Sequence, residues 1–253
     1  MQTASQSIRI LKVSPGKTES IETMVVAEAP VTLTVNGETW LTFACTPTLI
    51  DALAVGFLFN EGIIQSMSEV AEVHPCDDYS NVDVWLEHPA SKPAYWTRTS
   101  GCSGGVTQGE ALAAIFSPAG KFSTDMIFSG MDQLLQNQEI YQEAGGLHSS
   151  GLSDGYATWL QAEDIGRHNT LDKLAGLIII NKIPIDHCML FTTGRISSKM
   201  LQKAARIKAA VVVSRTSPTL HAIDLAEKSG ITLVGYARRS QFNVYSHPER
   251  LFD

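Results

Sequence analysis

The segment Cys188-Met189-Leu190-Phe191-Thr192-Thr193-Gly194-Arg195 places a short apolar run directly before small polar residues and an arginine. Similar apolar runs occur at 156–160, 210–213 and 231–234. Helix-like segments alternate with these runs and begin near Arg167, Ser197 and Pro218. Strands that are apolar throughout and alternate with helices are typical of parallel βαβ units covered on both faces. The second half of the chain is therefore predicted to be α/β.

Each of three predicted strands runs into a loop that combines arginine with Gly, Ser or Thr, and these loops are 192–195, 214–218 and 235–241. Open parallel sheets bind ligands beyond the carboxyl ends of their strands. Because guanidinium groups match phosphate oxygens, we predict a phosphate-bearing ligand here, with Arg195 and Arg215 among its contacts. The alternative is that these arginines are merely solvated. The chain has no Walker A or G-x-G-x-x-G motif, so an ordinary triphosphatase or nicotinamide enzyme is not supported.

Two further segments carry histidine among residues suited to chemistry. The segment 163–173 enters a helix, in which His168 and Asp172 would share a face, so that the carboxylate could orient the imidazole. At the start of this helix, Gly166 and Arg167 could bind an anion. The segment 145–151 is predicted to be a small-residue loop that carries His148. For each histidine, a hydrogen-bonded structural role is the alternative.

The first half of the chain has the patterns of β structure. Asn36-Gly37 separates alternating segments at 31–35 and 38–43, which predicts a β-hairpin with a tight primed turn. Further strands are predicted at 82–86 and 95–98. After the hairpin, Thr46 and Pro47 are predicted to be the N-cap and first residue of an apolar helix that ends near Gly62. Another helix is predicted to begin near 123–125. We therefore divide the chain into a β-rich region, 1–120, and an α/β domain, 121–253.

The four cysteines are candidate nucleophiles or structural residues. Cys102 lies among Gly and Ser residues between a strand-like and a helix-like segment, which favours an exposed, reactive thiol over a packing role. The alternative is a turn that contains a cysteine without a chemical role. Cys45 directly precedes the predicted helix start, which would lower a thiol pKa, but its apolar neighbours favour a buried structural role. Cys76 is expected in a surface turn. The spacing of the cysteines matches no zinc or redox motif, so free thiols in a reducing compartment fit best.

The composition excludes several classes of protein. The 253 residues carry a formal charge of −7, which argues against a broad nucleic-acid surface. No apolar run approaches the roughly 18 to 20 residues that span a bilayer, and the polar N-terminus lacks the pattern of a signal peptide. We expect a cytoplasmic protein without a membrane segment.

Several phrases of this sequence resemble the formate dehydrogenase accessory sulfurtransferase family, FdhD. They are Gly145-Gly146-Leu147-His148, Glu163-Asp164-Ile165-Gly166-Arg167-His168-Asn169 and the segment 231–246, which contains Leu-Val-Gly-Tyr and Phe-Asn-Val-Tyr-Ser. The hairpin residues 41–43 and the helix residues 54–58 also match. The resemblance extends over nearly the whole chain from about residue 20.

The resemblance implies an α+β protein whose C-terminal three-layer α/β domain is similar to the cytidine deaminase-like fold, although the zinc signature of deaminases is absent. It also implies a carrier that takes persulfide sulfur from a cysteine desulfurase on Cys102. The carrier would pass this sulfur to the molybdenum cofactor of formate dehydrogenase, bis-molybdopterin guanine dinucleotide. The cofactor contacts implied by the family are Tyr236, Ala237, Arg238, Arg239, Ser240 and Gln241. They agree with the strand-end argument, which adds Arg195 and Arg215. Arg167 and His168, in the helix that segment 163–173 enters, are also expected to contact the cofactor.

The chain departs from the family at one position, because the second cysteine of the C-x-x-C loop is replaced by Gly105. One thiolate is enough to carry a persulfide, but the thiol that could release sulfur through a local disulfide is lost. A cofactor-binding chaperone without sulfur chemistry is therefore a second hypothesis. A third, a zinc hydrolase using Cys102, His148 and His168, finds no support in the ligand spacings. A homodimer would supply a groove for sulfur transfer between bulky partners.

Overall fold

The computed structural model describes residues 3–93, 121–155, 159–185 and 187–253, together with the backbone of residues 97–98 and 105–106. The elements of the first half are β1 (Ser5–Ser14), β2 (Lys17–Val26), β3 (Ala29–Val35), β4 (Glu38–Cys45), α1 (Ile50–Asn60), β5 (Val70–Pro75), β6 (Asn81–Leu86), β7 (Thr97–Arg98) and β8 (Gly105–Val106). The elements of the second half are β9 (Phe122–Ser123), α2 (Thr124–Gln136), α3 (Glu139–Ala144), β10 (His148–Ser153), β11 (Trp159–Asp164), α4 (Arg167–Ile180), β12 (Cys188–Thr192), α5 (Ser198–Arg206), β13 (Ala209–Ser214), α6 (Leu220–Ser229), β14 (Thr232–Arg238), β15 (Gln241–Ser246) and β16 (Leu251–Phe252).

The first half is built on a four-stranded sheet in the order β4-β3-β6-β5. The predicted hairpin is confirmed, since β3 and β4 pair antiparallel around Asn36 and Gly37. Both turn residues have positive φ, 49° and 81°, as a primed turn requires. Alternate residues of β3, namely Val31, Leu33 and Val35, are buried against α1 in one apolar core. The strand predicted at 82–86 is likewise confirmed as β6.

The start of α1 was predicted wrongly, because the helix begins at Ile50 and not at Pro47. Thr46 does not cap this helix. Its backbone N–H donates to the Asp164 carboxylate at 3.1 Å, and its hydroxyl accepts from the Ile165 N–H at 3.3 Å. Thr46 is fully buried. It is therefore a polar link to the second half of the chain.

The second half contains a six-stranded sheet in the order β11-β10-β12-β13-β14-β15. The prediction of parallel strands is confirmed for β12, β13 and β14. The prediction of a parallel strand is wrong for the run at 156–160. The described residues of this run belong to β11, which pairs antiparallel with β10. Antiparallel β15 closes the opposite edge. The sheet is mixed because a hairpin extends each edge of its parallel centre.

Helices cover both faces of this sheet, so the predicted three-layer α/β arrangement is confirmed. Leu190, Val212 and Leu233 pack in one core with α4, α5 and α6. Phe191 and Val213 point to the opposite face and pack in a second core with α2. This alternation explains why the central strands are apolar throughout. The predicted N-terminus of α2 is also confirmed, since the Ser123 hydroxyl accepts from the Met126 N–H.

The two halves meet where α1 crosses α4. Gly56 of α1 has no room for a side chain, because a Cβ there would collide with the Asp172 carbonyl oxygen. Gly176 of α4 is equally crowded by the Ala52 carbonyl oxygen. The two backbones therefore approach more closely than side chains would permit. The predicted boundary between 120 and 121 falls next to residues outside the described ranges and stays a prediction.

A separate ribbon is formed by β1 and β2, which pair along all ten residues of each strand. Its base is attached to the second half, where the Ser5 hydroxyl donates to the Glu143 carboxylate at 2.7 Å. Among the described residues, no helix is long and apolar enough to cross a membrane.

Candidate functional site

The loops after the three parallel strands are held together by hydrogen bonds at one edge of the sheet. The Ser214 hydroxyl donates to the Gly194 carbonyl at 2.8 Å and accepts from the Thr216 N–H at 3.0 Å. The Arg215 N–H donates to the Thr192 carbonyl, and the Tyr236 N–H donates to the Thr216 carbonyl, both at 3.0 Å. The structure therefore brings together the strand ends that the sequence analysis placed at one site.

The arginines of these loops are exposed and have no anionic partner within the described residues. They are Arg195, Arg215, Arg238 and Arg239. Four guanidinium groups that are not neutralised at one edge of an acidic protein create a local positive field. This arrangement suits a ligand with several phosphate oxygens.

The predicted cofactor segment 236–241 forms the end of β14 and its hairpin with β15. Tyr236 adopts a positive φ of 52° and leaves 41% of its surface exposed, at an irregularity in the pairing between the strands. A non-glycine residue in this region of backbone space is strained, and such strain is common at binding sites. Ser240 and Gln241 are exposed. Ala237 is 2% exposed and packs in the core, so this residue of the predicted segment is not accessible from solvent.

The start of α4 is organised by Asp164. One carboxylate oxygen, Oδ1, accepts from the Gly166 N–H and from the Asn169 side-chain amide, both at 2.8 Å. Gly166 is the N-cap and supplies no side-chain cap of its own. Arg167, the first helical residue, has a buried Nε without a hydrogen-bond partner among the described residues. The guanidinium group of Arg167 thus lacks a carboxylate at a helix N-terminus, where anions are stabilised.

His168 is a buried, neutral histidine. Its exposed fraction is 4%, and its Nε2 lies 3.5 Å from the Ser197 hydroxyl, the N-cap of α5. Burial lowers the pKa of His168 to about 3, with Lys203, Arg167 and His148 contributing in the same direction. The predicted partner Asp172 is engaged elsewhere, because its two carboxylate oxygens accept from Asn60 and Lys203. The shared helix face therefore does not produce the predicted pairing.

His148 does not lie in a loop, as was predicted, but is the first residue of β10. The small residues after it are buried within the sheet, where the Ser150 hydroxyl donates to Thr192 Oγ1 at 3.0 Å and Gly151 leaves space for the Trp159 ring. The small side chains of Ser150 and Gly151 thus serve packing within the sheet and not the flexibility of a loop. Burial lowers the pKa of His148, and Arg167 adds to this effect while Asp164 opposes it.

Gly194 separates His148 from Arg167. A Cβ on Gly194 would lie 3.0 Å from Arg167 Cβ and 3.5 Å from His148 Nδ1. The glycine is needed for space rather than for a positive φ, because its φ lies outside the left-handed region. The contact of Ser197 with His168 and the proximity of Gly194 to His148 and Arg167 were missed in the sequence. The first depends on the packing of α5 beside α4. The proximity of Gly194 to His148 depends on the antiparallel pairing of β10 with β12.

A buried ion pair supports this end of α4. Lys173 Nζ lies 2.7 Å from Asp164 Oδ2, and both side chains are fully buried. The ammonium group also donates to the carbonyls of Thr46 and Glu163, each at 3.1 Å. The sequence offered only a weak signal for this pair, namely a lysine within an otherwise apolar helix face.

The cysteines differ in their surroundings. Cys102 lies outside the described residues, whereas the strands β7 and β8 on either side of its segment pair with each other, Arg98 opposite Gly105. Cys45 is fully buried, and burial raises its pKa to about 12, which confirms its structural role. Cys76 occupies the expected turn, where its thiol donates to the Asp78 carboxylate at 2.9 Å. Within the described ranges, no three His, Cys, Asp or Glu side chains are grouped so that they could hold a metal ion.

Comparisons with known proteins agree with this architecture. Two curated relatives, each named sulfur carrier protein FdhD and found in Staphylococcus aureus strains Newman and MRSA252, are 38% identical over 252 residues, which cover 96% of this chain and 95% of each relative. A crystal structure from Desulfotalea psychrophila, described as a formate dehydrogenase accessory protein, matches with a TM-score of 0.84 and 27% identity over 99% of this chain and 100% of that one. The FdhD/NarQ family model matches residues 26–252. The resemblance seen in the sequence is confirmed, and the chain belongs to the FdhD/NarQ family.

Proposed function

We propose that this chain is a sulfur carrier that serves the maturation of formate dehydrogenase, with Cys102 as the residue that carries the sulfur. The observation that carries the proposal is the family match over residues 26–252, together with relatives named as sulfur carriers. Among the cysteines, Cys45 and Cys188 are fully buried, and the Cys76 thiol is hydrogen-bonded in a turn. Cys102, set among Gly and Ser residues, is the remaining candidate.

The loading step conserves atoms and electrons. The Cys102 thiolate attacks the terminal sulfur of a persulfide on a cysteine desulfurase, so that a new S–S bond forms on Cys102 and the donor leaves as a thiolate. Release of this sulfur as sulfide needs two electrons. In the absence of a second cysteine at 105, an external thiol supplies them by forming a disulfide with Cys102. With that thiol, the chain acts as a sulfurtransferase.

The acceptor in this proposal is the bis-molybdopterin guanine dinucleotide form of the molybdenum cofactor, bound as a substrate. Its phosphate groups fit the exposed arginines Arg195, Arg215, Arg238 and Arg239, which have no anionic partner in the described part of the chain. Tyr236, in the same strand as Arg238, is 41% exposed. Arg167 provides a further cation at the start of α4.

The remaining partners are part of the same proposal. A cysteine desulfurase supplies the sulfur, and formate dehydrogenase receives the finished cofactor. The reaction is expected in the cytoplasm, and a homodimer would provide a shielded route between the two partners. The acidic charge of −7 is unsuited to a nucleic-acid partner.

The decisive experiment is an intact-mass measurement after incubation with a cysteine desulfurase and cysteine. The wild-type chain should gain one sulfur atom that a reducing agent removes, and Cys102→Ala should gain none. Cys76→Ala is the matched control and should load like the wild type. Loading that persists in Cys102→Ala would contradict the proposed carrier residue.

A cofactor-binding chaperone without sulfur chemistry is the second candidate, and Gly105 in place of a cysteine is the observation that favours it. In that case Cys102→Ala would leave the maturation of formate dehydrogenase unchanged. Replacement of Arg238 and Arg239 by alanine would abolish it in both cases. The two variants compared in one maturation assay therefore separate the candidates.

A further inference from the structure

Two buried hydroxyl groups hold the loop that carries Arg195. Thr192 and Ser214 end the neighbouring parallel strands β12 and β13, lie opposite each other in register, and are fully buried. The Gly194 N–H donates to Thr192 Oγ1 at 3.1 Å, and the Gly194 carbonyl accepts from Ser214 Oγ at 2.8 Å. Strand-end side chains therefore bind both backbone polar groups of the residue that directly precedes Arg195.

The Ser214 hydroxyl also joins two loops to each other. It donates to Gly194 in the loop 192–195 and accepts from the Thr216 N–H in the loop 214–218 at 3.0 Å. The Thr216 hydroxyl lies 3.1 Å from the same oxygen. A serine hydroxyl offers one donor and two acceptor positions, so these three contacts use its whole hydrogen-bonding capacity.

The third loop is attached to this pair through Thr216. The Tyr236 N–H donates to the Thr216 carbonyl at 3.0 Å. At the preceding residue, Gly235, a Cβ would lie 3.1 Å from the same carbonyl oxygen and 3.0 Å from Pro218 Cδ, so the end of β14 packs closely against the loop 214–218. The hairpin tip with its two exposed arginines follows directly. A chain of contacts thus leads from Ser214 to all the arginine-bearing loops.

We propose that Ser214 is a positioning residue for the phosphate-bearing acceptor, because its hydroxyl sets the positions of these three loops relative to one another. The inference rests on the proposed function, in which the loops hold the phosphates of the molybdenum cofactor, and it adds the residue that arranges them before the ligand binds. Loops that are already held in place lose less conformational freedom on binding, which raises affinity. The gain is largest for a ligand that touches several loops at once.

Ser246 provides a matched comparison within the same sheet. Its hydroxyl donates to the Ile231 carbonyl at 2.7 Å and accepts from the Leu233 N–H at 3.1 Å, and the residue is 2% exposed. These contacts lie at the start of β14, whereas those of Ser214 reach the loops at the strand ends. Replacing either serine by alanine leaves a backbone carbonyl and a backbone N–H without that partner. Only the replacement of Ser214 releases the loops.

The test compares the binding of guanosine diphosphate and guanosine monophosphate to the full chain by calorimetry. Ser214→Ala should weaken binding of the diphosphate about tenfold and of the monophosphate less than about threefold, because a single phosphate contacts fewer loops. Ser246→Ala should bind both nucleotides as the wild type does. The ratio of the two affinities does not depend on the folded fraction, so a merely structural role of Ser214 would leave it unchanged.

Two further variants complete the test. Ser214→Cys fills the same space with a thiol that forms only weak hydrogen bonds, and it should lower the ratio even if Ser214→Ala does not fold. Ser214→Thr retains the hydroxyl and should keep the wild-type ratio. An unchanged ratio in Ser214→Ala and Ser214→Cys, or an equal decrease in Ser246→Ala, would overturn the proposal.

Failure of this inference can be told apart from failure of the proposed function. If the wild type binds guanosine diphosphate and the Ser214 variants bind it equally well, the positioning role alone is rejected. If the wild type binds neither nucleotide, the phosphate site is rejected together with the role of Ser214. Sulfur loading of Cys102, measured by mass, then tests the sulfur-carrier function independently.

Discussion

The Lys173 ammonium group lies 2.7 Å from the Asp164 carboxylate, and neither side chain has any exposed surface. Asp164 also receives hydrogen bonds from Thr46, Gly166 and Asn169. The buried Asp164 carboxylate therefore holds three parts of the chain in position: the residue that follows β4, the N-cap of α4 and the first turn of α4, which carries His168. The pair connects the first half of the chain to the candidate site.

Lys173→Met should destabilise the protein by about 3 to 5 kcal/mol, because it leaves the Asp164 charge buried without compensation. Lys228→Met, at an exposed position in α6, is the control and should change the free energy of unfolding by less than about 0.5 kcal/mol. Urea unfolding measures both.

If Lys173→Met does not fold, the double variant Lys173→Met/Asp164→Asn tests the same pair. Removing both charges should restore part of the lost free energy of unfolding. A single Lys173→Met variant that is as stable as Lys228→Met would contradict the structural role of the pair.

The stability of the protein should fall as the pH falls below about 6.5, partly because of His168. The unfolded imidazole has an ordinary pKa near 6.5, while burial lowers the folded value to about 3. Between these values the unfolded state binds more protons, so this group costs up to about 1.4 kcal/mol per pH unit on acidification. Urea midpoints between pH 7 and 4 should decline less steeply for His168→Gln. Parallel curves for the two proteins would refute the assignment.

Alkylation should distinguish the cysteines of the native chain. With a pKa of about 12, only about one Cys45 in ten thousand is a thiolate at pH 8, and its side chain is fully buried. Cys188 is buried as well. Iodoacetamide should therefore modify the partly exposed Cys76 long before Cys45 or Cys188, as measured by peptide mass mapping. In urea all of them should react. Rapid labelling of Cys45 in the native chain would contradict its burial.

The tip of the β14–β15 hairpin should contribute to nucleotide binding through its two arginines. Replacing both Arg238 and Arg239 by alanine should weaken the binding of guanosine diphosphate about ten- to a hundred-fold, because charge-assisted hydrogen bonds are lost. Calorimetry at two salt concentrations would measure this, and added salt should weaken the wild type more than the variant. Arg9→Ala removes an exposed arginine of the ribbon and serves as the control. Equal affinity in all three proteins would exclude a role for the tip.

The sequence was most informative where a local rule decides the structure. Asn36-Gly37 favours a primed turn, which the structure contains. The apolar runs at 188–191 and 210–213 are typical of strands that are covered on both faces. The convergence of three arginine-bearing strand ends followed from the same argument.

The predictions from the sequence were wrong where contacts between distant residues outweigh the local sequence pattern. Thr46 resembles a helix cap, yet Asp164, more than a hundred residues away, takes its N–H. The residues after His148 resemble a loop, yet their small size serves packing within β10. No rule of spacing shows that Asp172 will choose Asn60 and Lys203 instead of His168, since these partners come from other helices.

The contact of Gly56 with the backbone of α4 also bears on how the chain unfolds. Each helix presents backbone without a side chain to the other at Gly56 and Gly176. If one half of the chain detached, the other would expose a closely fitted surface that no other part of the chain could cover. Heating should therefore give one calorimetric transition rather than two, and either half expressed alone should be insoluble or only loosely folded. Chimeras between related chains should succeed only when the segments that contain Gly56 and Gly176 are exchanged together.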